Sequence, residues 1–238
     1  MSPTHCGVLE LRQYTLHPGR REELIELFDT HLVESQEEAG MHVLGQFRDI
    51  ERTDRFVWFR GYPDMPTRRD SLTRFYLEGE VWARHRNAAN ATMVDSDDVL
   101  LLQSVPGAEE LCAAVGPRPT AAESEPRGVY TVTIHHLRRP ADDGVRHWLT
   151  ETRPMLEACS PHIVGVLRSE HAPNNFPRLP LRADVDTLVV VTRHASHSER
   201  RACAARRAAI EPAHSFARFE AAPPEELILE PTPRSALR

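Results

Sequence analysis

Histidine, arginine and tyrosine recur in this chain at positions where strand alternation gathers them on one surface. Glu10, Arg12 and Tyr14 alternate with Leu9 and Leu11, Trp58 and Arg60 alternate with Val57 and Phe59, and Arg48 lies on the stretch between. In a pleated strand, residues two apart share a face. Thr131, Thr133 and His135 follow the same alternation later, as do Val190, Thr192 and His194. A neutral imidazole near arginines has its pKa lowered, which suits a general base near pH 7. His135 and His194 are therefore candidate bases. Arg12, Arg60 and Tyr14 are candidates for holding the enolate or phenolate oxygen that proton removal creates. Glu10, Arg48 and Trp58 would line the same space. Two alternatives stay open. The histidines could be hydrogen-bonded structural residues, and the charged groups could pair as internal Arg–Glu bridges with little cavity between them.

A second group lies on a helical stretch. Trp82, Arg86 and Asn90 fall at i, i+4 and i+8, with His85 and Asn87 to either side. Such a face can recognise a carboxylate or enol oxygen, or it can meet a partner. The loop Asn174-Asn175-Phe176-Pro177-Arg178 forms a third group. A proline-stiffened loop of this kind either covers a cavity or clasps a second subunit. His194-Ala195-Ser196-His197 has a ligand-like spacing, but it begins at a strand end where that spacing does not converge, so no metal site is expected. His135 and His136 point to opposite faces and cannot chelate together.

Composition narrows the chemistry. Lysine is absent, so all 29 basic residues are arginine. That excludes a Schiff-base lysine, a pyridoxal-phosphate anchor and a phosphate-loop lysine. G-x-G-x-x-G, G-x-S-x-G and H-E-x-x-H are also missing, so no organic cofactor is expected. A net charge of −6 without a basic, aromatic-laced stretch argues against nucleic acid as a partner. No apolar run is long enough to span a membrane, and the first residues lack a signal-peptide pattern, so the expected location is cytoplasmic. Cys6, Cys112, Cys159 and Cys203 form no C-x-x-C pair and are expected as reduced thiols.

The elements that must position these residues can be read from periodicity. Residues 8–16 alternate as a strand, 20–38 carry a helical stripe, 42–50 and 55–61 form a hairpin, and a second helix runs from about 67 towards 93, interrupted near Glu78-Gly79. A strand over 99–103 completes the order β-α-β-β-α-β, the ferredoxin-like unit. The unit then repeats. His42-Val43-Leu44-Gly45-Gln46-Phe47-Arg48 returns as His162-Ile163-Val164-Gly165-Val166-Leu167-Arg168. The second copy has strands at 129–137, 163–169, 187–193 and 227–229, a helix over 143–159 bent or split at Pro154, and a helix over 198–219 broken at Pro212. Its hairpin carries about a dozen extra residues, an insertion of the kind that long functional loops make. The expected organisation is a first unit at 1–105, a linker at 106–127 with a short helix near 109–115, a second unit at 128–238, and a less ordered tail after Pro231. Each unit has helices on one sheet face, so the second sheet is the natural cover for the other. The apolar alternates are assigned beneath the helices. Glu10, Arg12, Tyr14, Trp58, Arg60, His135 and His194 are assigned to the gap between the sheets.

These residues resemble a known family. Glu10-Leu11-Arg12-Gln13-Tyr14-Thr15-Leu16-His17-Pro18-Gly19, the Val57-Trp58 strand, the helix with Trp82, His85, Arg86 and Asn90, and Pro173-Asn174-Asn175-Phe176-Pro177-Arg178-Leu179-Pro180 are similar to NIPSNAP family proteins, the last stretch to two-domain bacterial members. The second copy lacks the E-L-R-x-Y signature. The resemblance implies an α+β fold of tandem ferredoxin-like repeats forming a dimeric α/β-barrel, and a homodimer. Its wider superfamily includes cofactor-free monooxygenases, cyclases, lactone isomerases and haem-binding enzymes, which is fold-level analogy. The functional expectation is a small-molecule enzyme without a cofactor, of isomerase, cyclase, dehydratase or monooxygenase type. It would act on an aromatic or enolisable carbonyl compound, with a histidine base and an Arg/Tyr oxyanion site. The alternatives are a non-catalytic binding or scaffold protein, and a haem-associated protein with His85, His135 or His194 as axial ligand.

Overall fold

The computed structural model describes residues 6–120, 128–159, 162–210 and 216–238. The first half runs through β1 (Val8–Leu16), α1 (Arg21–Leu27), a π-helical turn (Phe28–Leu32), α2 (Val33–Glu38), β2 (His42–Asp49), β3 (Arg55–Tyr62), α3 (Met65–Thr73), a second π turn (Arg74–Glu78), α4 (Glu80–Asn90) and β4 (Met93–Ser104). A short 3-10 segment, Leu111–Ala114, follows. The second half repeats the path with β5 (Val129–Leu137), α5 (Ala141–His147), a π turn (Trp148–Thr152), α6 (Arg153–Cys159), β6 (Ile163–Ser169), β7 (Thr187–His194), α7 (His197–Ile210), a 3-10 turn (Phe216–Phe219) and β8 (Glu220–Pro231).

Local chemistry explains the main boundaries. Asp64 caps α3 by accepting from the Thr67 N–H at 2.7 Å, with Pro66 in the first turn, where a missing N–H leaves no bond unmade. Gly40 ends the first helical run at φ 97°, a conformation that a Cβ disfavours. Pro154 sits where the helical run is split. It lies in the first turn of α6, and the irregularity is the π turn before it. β4 and β8 are longer than their apolar cores because pairing with β1 and β5 carries polar residues along, as at Thr15↔Asp95 and Leu137↔Glu220. The break expected at Pro212 lies outside the described residues.

All eight strands close into one antiparallel barrel in the order β1-β3-β2-β8-β5-β7-β6-β4. The two four-stranded sheets meet at two short seams, Phe47↔Pro231 to Asp49↔Leu229 and Leu102↔Ser169 to Ser104↔Leu167. The partner sheet that each unit needs is thus supplied within the chain.

The faces are the reverse of those assigned from alternation. Leu9, Leu11, Val57 and Phe59 meet Tyr130, Val132, Ile134, Val189 and Val191 in one apolar core inside the barrel. Tyr14 and Trp58 lie on the other face, packed with Leu24, Phe28, Leu32 and Phe75 from the helices. The reason is solvation. A closed barrel offers a buried charge mostly apolar side chains and already paired backbone, whereas helices bring Gln36, Arg68 and Tyr76 as partners. A bulge between Val43 and Gly45 shifts parity in β2, so Val43 faces the helices while Leu44 and Phe47 point into the barrel.

Two further expectations are corrected. Cys6 and Cys112 form a disulfide that ties the start of the chain to the 3-10 segment; Cys159 and Cys203 are free and buried. Spacing along the chain could not show that pairing, because it depends on which barrel end each cysteine reaches. The tail after Pro231 is tucked in. Leu237 joins the barrel core, and its N–H donates to the Leu44 carbonyl at 3.0 Å. Among the described residues, no helix is long and apolar enough to cross a membrane.

Candidate functional site

The signature residues of β1 build a buried ion cluster between the first sheet and its helices. The Glu10 Oε2 accepts from Arg12 Nη1 and Arg60 Nε, each at 2.8 Å, and its Oε1 accepts from Arg68 Nε at 2.7 Å. Glu10, Arg60 and Arg68 have no exposed surface and Arg12 has 1%. Register makes this possible: Glu10 pairs with Arg60 and Arg12 with Trp58 across β1 and β3, so their side chains stand side by side. Burial alone would raise the Glu10 pKa, but Arg60, Arg12 and Arg68 outweigh it and hold the carboxyl well below the usual range. Three guanidiniums on one carboxylate leave the cluster net positive. Trp58 lies between two of them, with the Arg12 and Arg60 guanidiniums 5.7 Å and 5.1 Å from its ring centre.

Arg12 is the member of the cluster that reaches open space. Its Nε donates to the Tyr14 hydroxyl at 3.0 Å, and both residues line a pocket of about 300 Å³ with Tyr76, Trp82, Arg86, Asn90, Phe176 and Arg178. Arg12 and Tyr14 are buried, so they form its floor, whereas Arg86, Asn90 and Arg178 are exposed at its rim. Burial raises the Tyr14 pKa, so the phenol keeps its proton and can donate it. No carboxylate or imidazole lines this pocket among the described residues.

The long β6–β7 loop, residues 170–186, covers this pocket from the second half. Arg68 Nη1 donates to Asn175 Oδ1 at 2.7 Å and to Asn174 Oδ1 at 3.3 Å, and Asn175 Nδ2 donates to the Met65 carbonyl at 2.6 Å. Phe176 then packs on Tyr76, with ring centres 6.1 Å apart. One arginine therefore links the buried acid to the covering loop.

The structure thus joins Arg12, Tyr14, Trp82, Arg86, Asn90, Phe176 and Arg178 in one pocket and sets Glu10, Trp58, Arg60, Asn174 and Asn175 directly behind it. It does not join the histidines to them. His135 and His194 line a separate cavity of about 420 Å³ between the second sheet and its own helices, sharing no residue with the first. A histidine base with Arg12, Tyr14 and Arg60 as its oxyanion site is therefore not one active site. The alternation was read correctly, but the barrel directs the two polar faces outward on opposite sides. Arg48 is also elsewhere, pairing with Glu22 of α1 at 2.6 Å. His85 stacks on His31 at the surface, with ring centres 4.1 Å apart, and lines neither cavity, which removes it as an axial ligand there. Two residues that matter were not singled out. Arg68 occupies an unmarked position on α3. Glu220 precedes the apolar core of β8, and only the pairing to β5 brings it near His135.

Residues 9–106 match the family described as NIPSNAP. This stretch is a NIPSNAP domain. The pocket floor, the Glu10 cluster and the α4 face all belong to it, and the covering loop is contributed from beyond it. No curated protein matches the chain. Among solved structures, an anthrone oxidase-like protein aligns at TM-score 0.59 with 16% identity, over 100% of this chain and 97% of its own. A proposed monooxygenase from Fusobacterium nucleatum aligns at 0.58 with 8% identity, over 94% and 92%. A heme-binding protein from Thermus thermophilus aligns at 0.50 with 14% identity, over 96% and 93%. At these identities the likeness is one of fold.

Proposed function

We propose that the pocket of the NIPSNAP domain binds a compact aromatic molecule through a carboxylate, phenolate or enolate oxygen, and that the protein is a small-molecule enzyme working without an organic cofactor. The observation that carries this reading is the lining: three arginines and a protonated tyrosine around an aromatic-walled pocket, with no acid beside them among the described residues. The size suits a small ligand with few polar anchors. Arg12, fixed by Glu10, and the Tyr14 hydroxyl would stabilise negative charge as it develops on a substrate oxygen. The substrate's proton would leave to water. An anion held in this way can isomerise, cyclise, lose water, or give its electrons to dioxygen. In the last case a CH₂ group becomes C=O and the second oxygen atom leaves as water.

Calorimetric titration with 3-hydroxy-2-naphthoate tests the binding. Arg12→Gln and Arg86→Gln should each weaken it by about 10-fold or more, the loss expected of one charged hydrogen bond. Equal affinity in both variants would overturn the reading. Anthrone is a suitable first substrate, given the fold likeness, and oxygen uptake is its readout. Tyr14→Phe should lower turnover by about 10²-fold if the phenol stabilises an oxyanion. The lack of a base in the pocket favours a second reading, a binding protein. Tight naphthoate binding without turnover of any enolisable probe would select it.

A further inference from the structure

The second half has its own space between sheet and helices, and polar atoms with no partner among the described residues collect there. His194 Nδ1, Thr152 Oγ1 and Arg200 Nε are buried without one, and all three residues line the 420 Å³ cavity. Buried polar atoms of this kind call for a ligand or water. None of the residues lining the first pocket has such an atom among those described. Trp148, Met155, Leu156 and Phe216 give it apolar walls, and Arg207 and Glu226, also in the lining, are paired with each other at 3.3 Å.

One group in this cavity is arranged as a base. His135 Nδ1 lies 2.6 Å from Glu220 Oε1, and the ring packs edge-on against Phe216 at 5.1 Å. The carboxylate fixes the tautomer with the proton on Nδ1, leaving Nε2 basic on the opposite side of the ring, free of any hydrogen bond to the described residues. His194 supplies the complement. Its Nε2 lies 3.3 Å from Thr131 Oγ1 and 3.4 Å from Thr192 Oγ1. With Nε2 accepting from a threonine, Nδ1 carries the proton and can donate to a ligand oxygen.

We propose that this cavity is a second small-molecule site, which takes an uncharged, largely apolar ketone and moves its α-proton to Nε2 of His135. The α C–H bond breaks, its electron pair stays on the substrate as the enolate, and the proton forms an N–H bond on Nε2. Glu220 keeps its charge beside the imidazolium, and His194 hydrogen-bonds the enolate oxygen. Return of the proton to the same or another carbon restores the ketone or yields its isomer, with no change of oxidation state. Glu220 is a positioning residue, since it acts through His135. The proposal stands apart from the first pocket, whose own test is naphthoate binding.

The experiment is deuterium exchange at the α-carbons of 2-tetralone in D₂O, followed by proton NMR with the full chain. The protein should accelerate exchange over buffer, and His135→Gln should lower that acceleration by about 10²-fold or more, the range of general-base contributions. Ala204→Trp fills the cavity from α7 while keeping His135 and Glu220 in the chain, and should have the same effect. Glu220→Gln should reduce exchange and also shift the His135 ring nitrogen resonances, which a purely structural role would not do. Exchange at the buffer rate, or exchange unchanged in His135→Gln and Ala204→Trp, overturns the proposal. So does exchange that is lost in Arg12→Gln but kept in those two variants, because it would then arise in the first pocket.

Discussion

Between sheet and helices, the two halves of this barrel have solved one spatial problem in opposite ways. In the first half, Glu10 faces Arg60 and Arg12 faces Trp58. In the second, the equivalent pairs are Thr131 with Thr192 and Thr133 with Val190. Long charged side chains fill the first space and leave a small pocket at its edge. Short hydroxyls leave the second hollow. The π turns correspond too, with Phe28 packed on Trp58 at 4.9 Å in one half and Trp148 lining the cavity in the other. Covering differs as well. The Ile50 N–H donates to the Ile228 carbonyl, as the Glu170 N–H does to Leu101, so the two hairpins leave the barrel in the same way. The first then turns back within a few residues, whereas the second extends over its neighbour's pocket. The repeat conserved the path of the chain and let each half acquire a different interior.

If charge fills one half and space the other, removing a polar group should matter far more in the first. Glu10→Gln leaves three buried guanidiniums without their carboxylate and should cost about 3–5 kcal/mol, read by urea unfolding. Thr192→Val in the second half should cost only about 1 kcal/mol. Similar values for the two would break the comparison.

The covering loop gives the next largest effect. Asn175→Ala removes one of the acceptors of Arg68 and the donor to Met65, and should cost about 1–3 kcal/mol. It should also raise amide exchange across residues 170–186 while leaving the second cavity unchanged. Uniform exchange throughout the chain would mean that the loop is not a separate element.

Acid should separate the halves by pH. Burial lowers the His194 pKa below its ordinary 6.5, with Arg200 and His162 adding to the shift and Glu199 and Glu226 opposing it. The unfolded chain therefore takes a proton that the folded chain refuses, so this contribution is complete above 6.5 and is lost as pH falls below it. Glu10 is depressed from 4.5, so its contribution persists to lower pH and fades only beneath that value. Stability should fall in two windows. His194→Gln should lessen the drop in the upper window, to which the lowered His42 and His136 also contribute, and leave the lower window unchanged, which chemical denaturation across pH 7.5 to 3.5 would show. The smallest effect belongs to the surface: Arg48→Ala breaks an exposed pair with Glu22 and should change stability by less than about 1 kcal/mol.

Much of this was legible from local pattern. The strands at 8–16, 129–137 and 163–169 follow directly from alternation, and the duplicated β-α-β-β-α-β order from self-similarity. The i, i+4, i+8 face of Trp82, Arg86 and Asn90 was read as facing a ligand or a partner, and the Asn-Asn-Phe-Pro-Arg loop as covering a cavity or clasping a second subunit; residues of both line the first pocket. The cysteine pairing, Arg68 and Glu220 were not legible, because each depends on contacts between segments far apart in the chain.

The sequence by itself determined which residues share a face, since period-two geometry is a property of the strand. It also determined that two such sheets must cover each other, since each has one face without helices. Only the tertiary structure decided which face turned inward. Both faces held apolar side chains, and the choice fell to solvation: the barrel core is apolar and takes polar groups only where Gln13, Arg55 and Glu225 pair with one another, while the helix side supplies partners for a whole cluster of charges. That choice placed the arginines and the histidines on opposite outer flanks, and so divided one expected site into two.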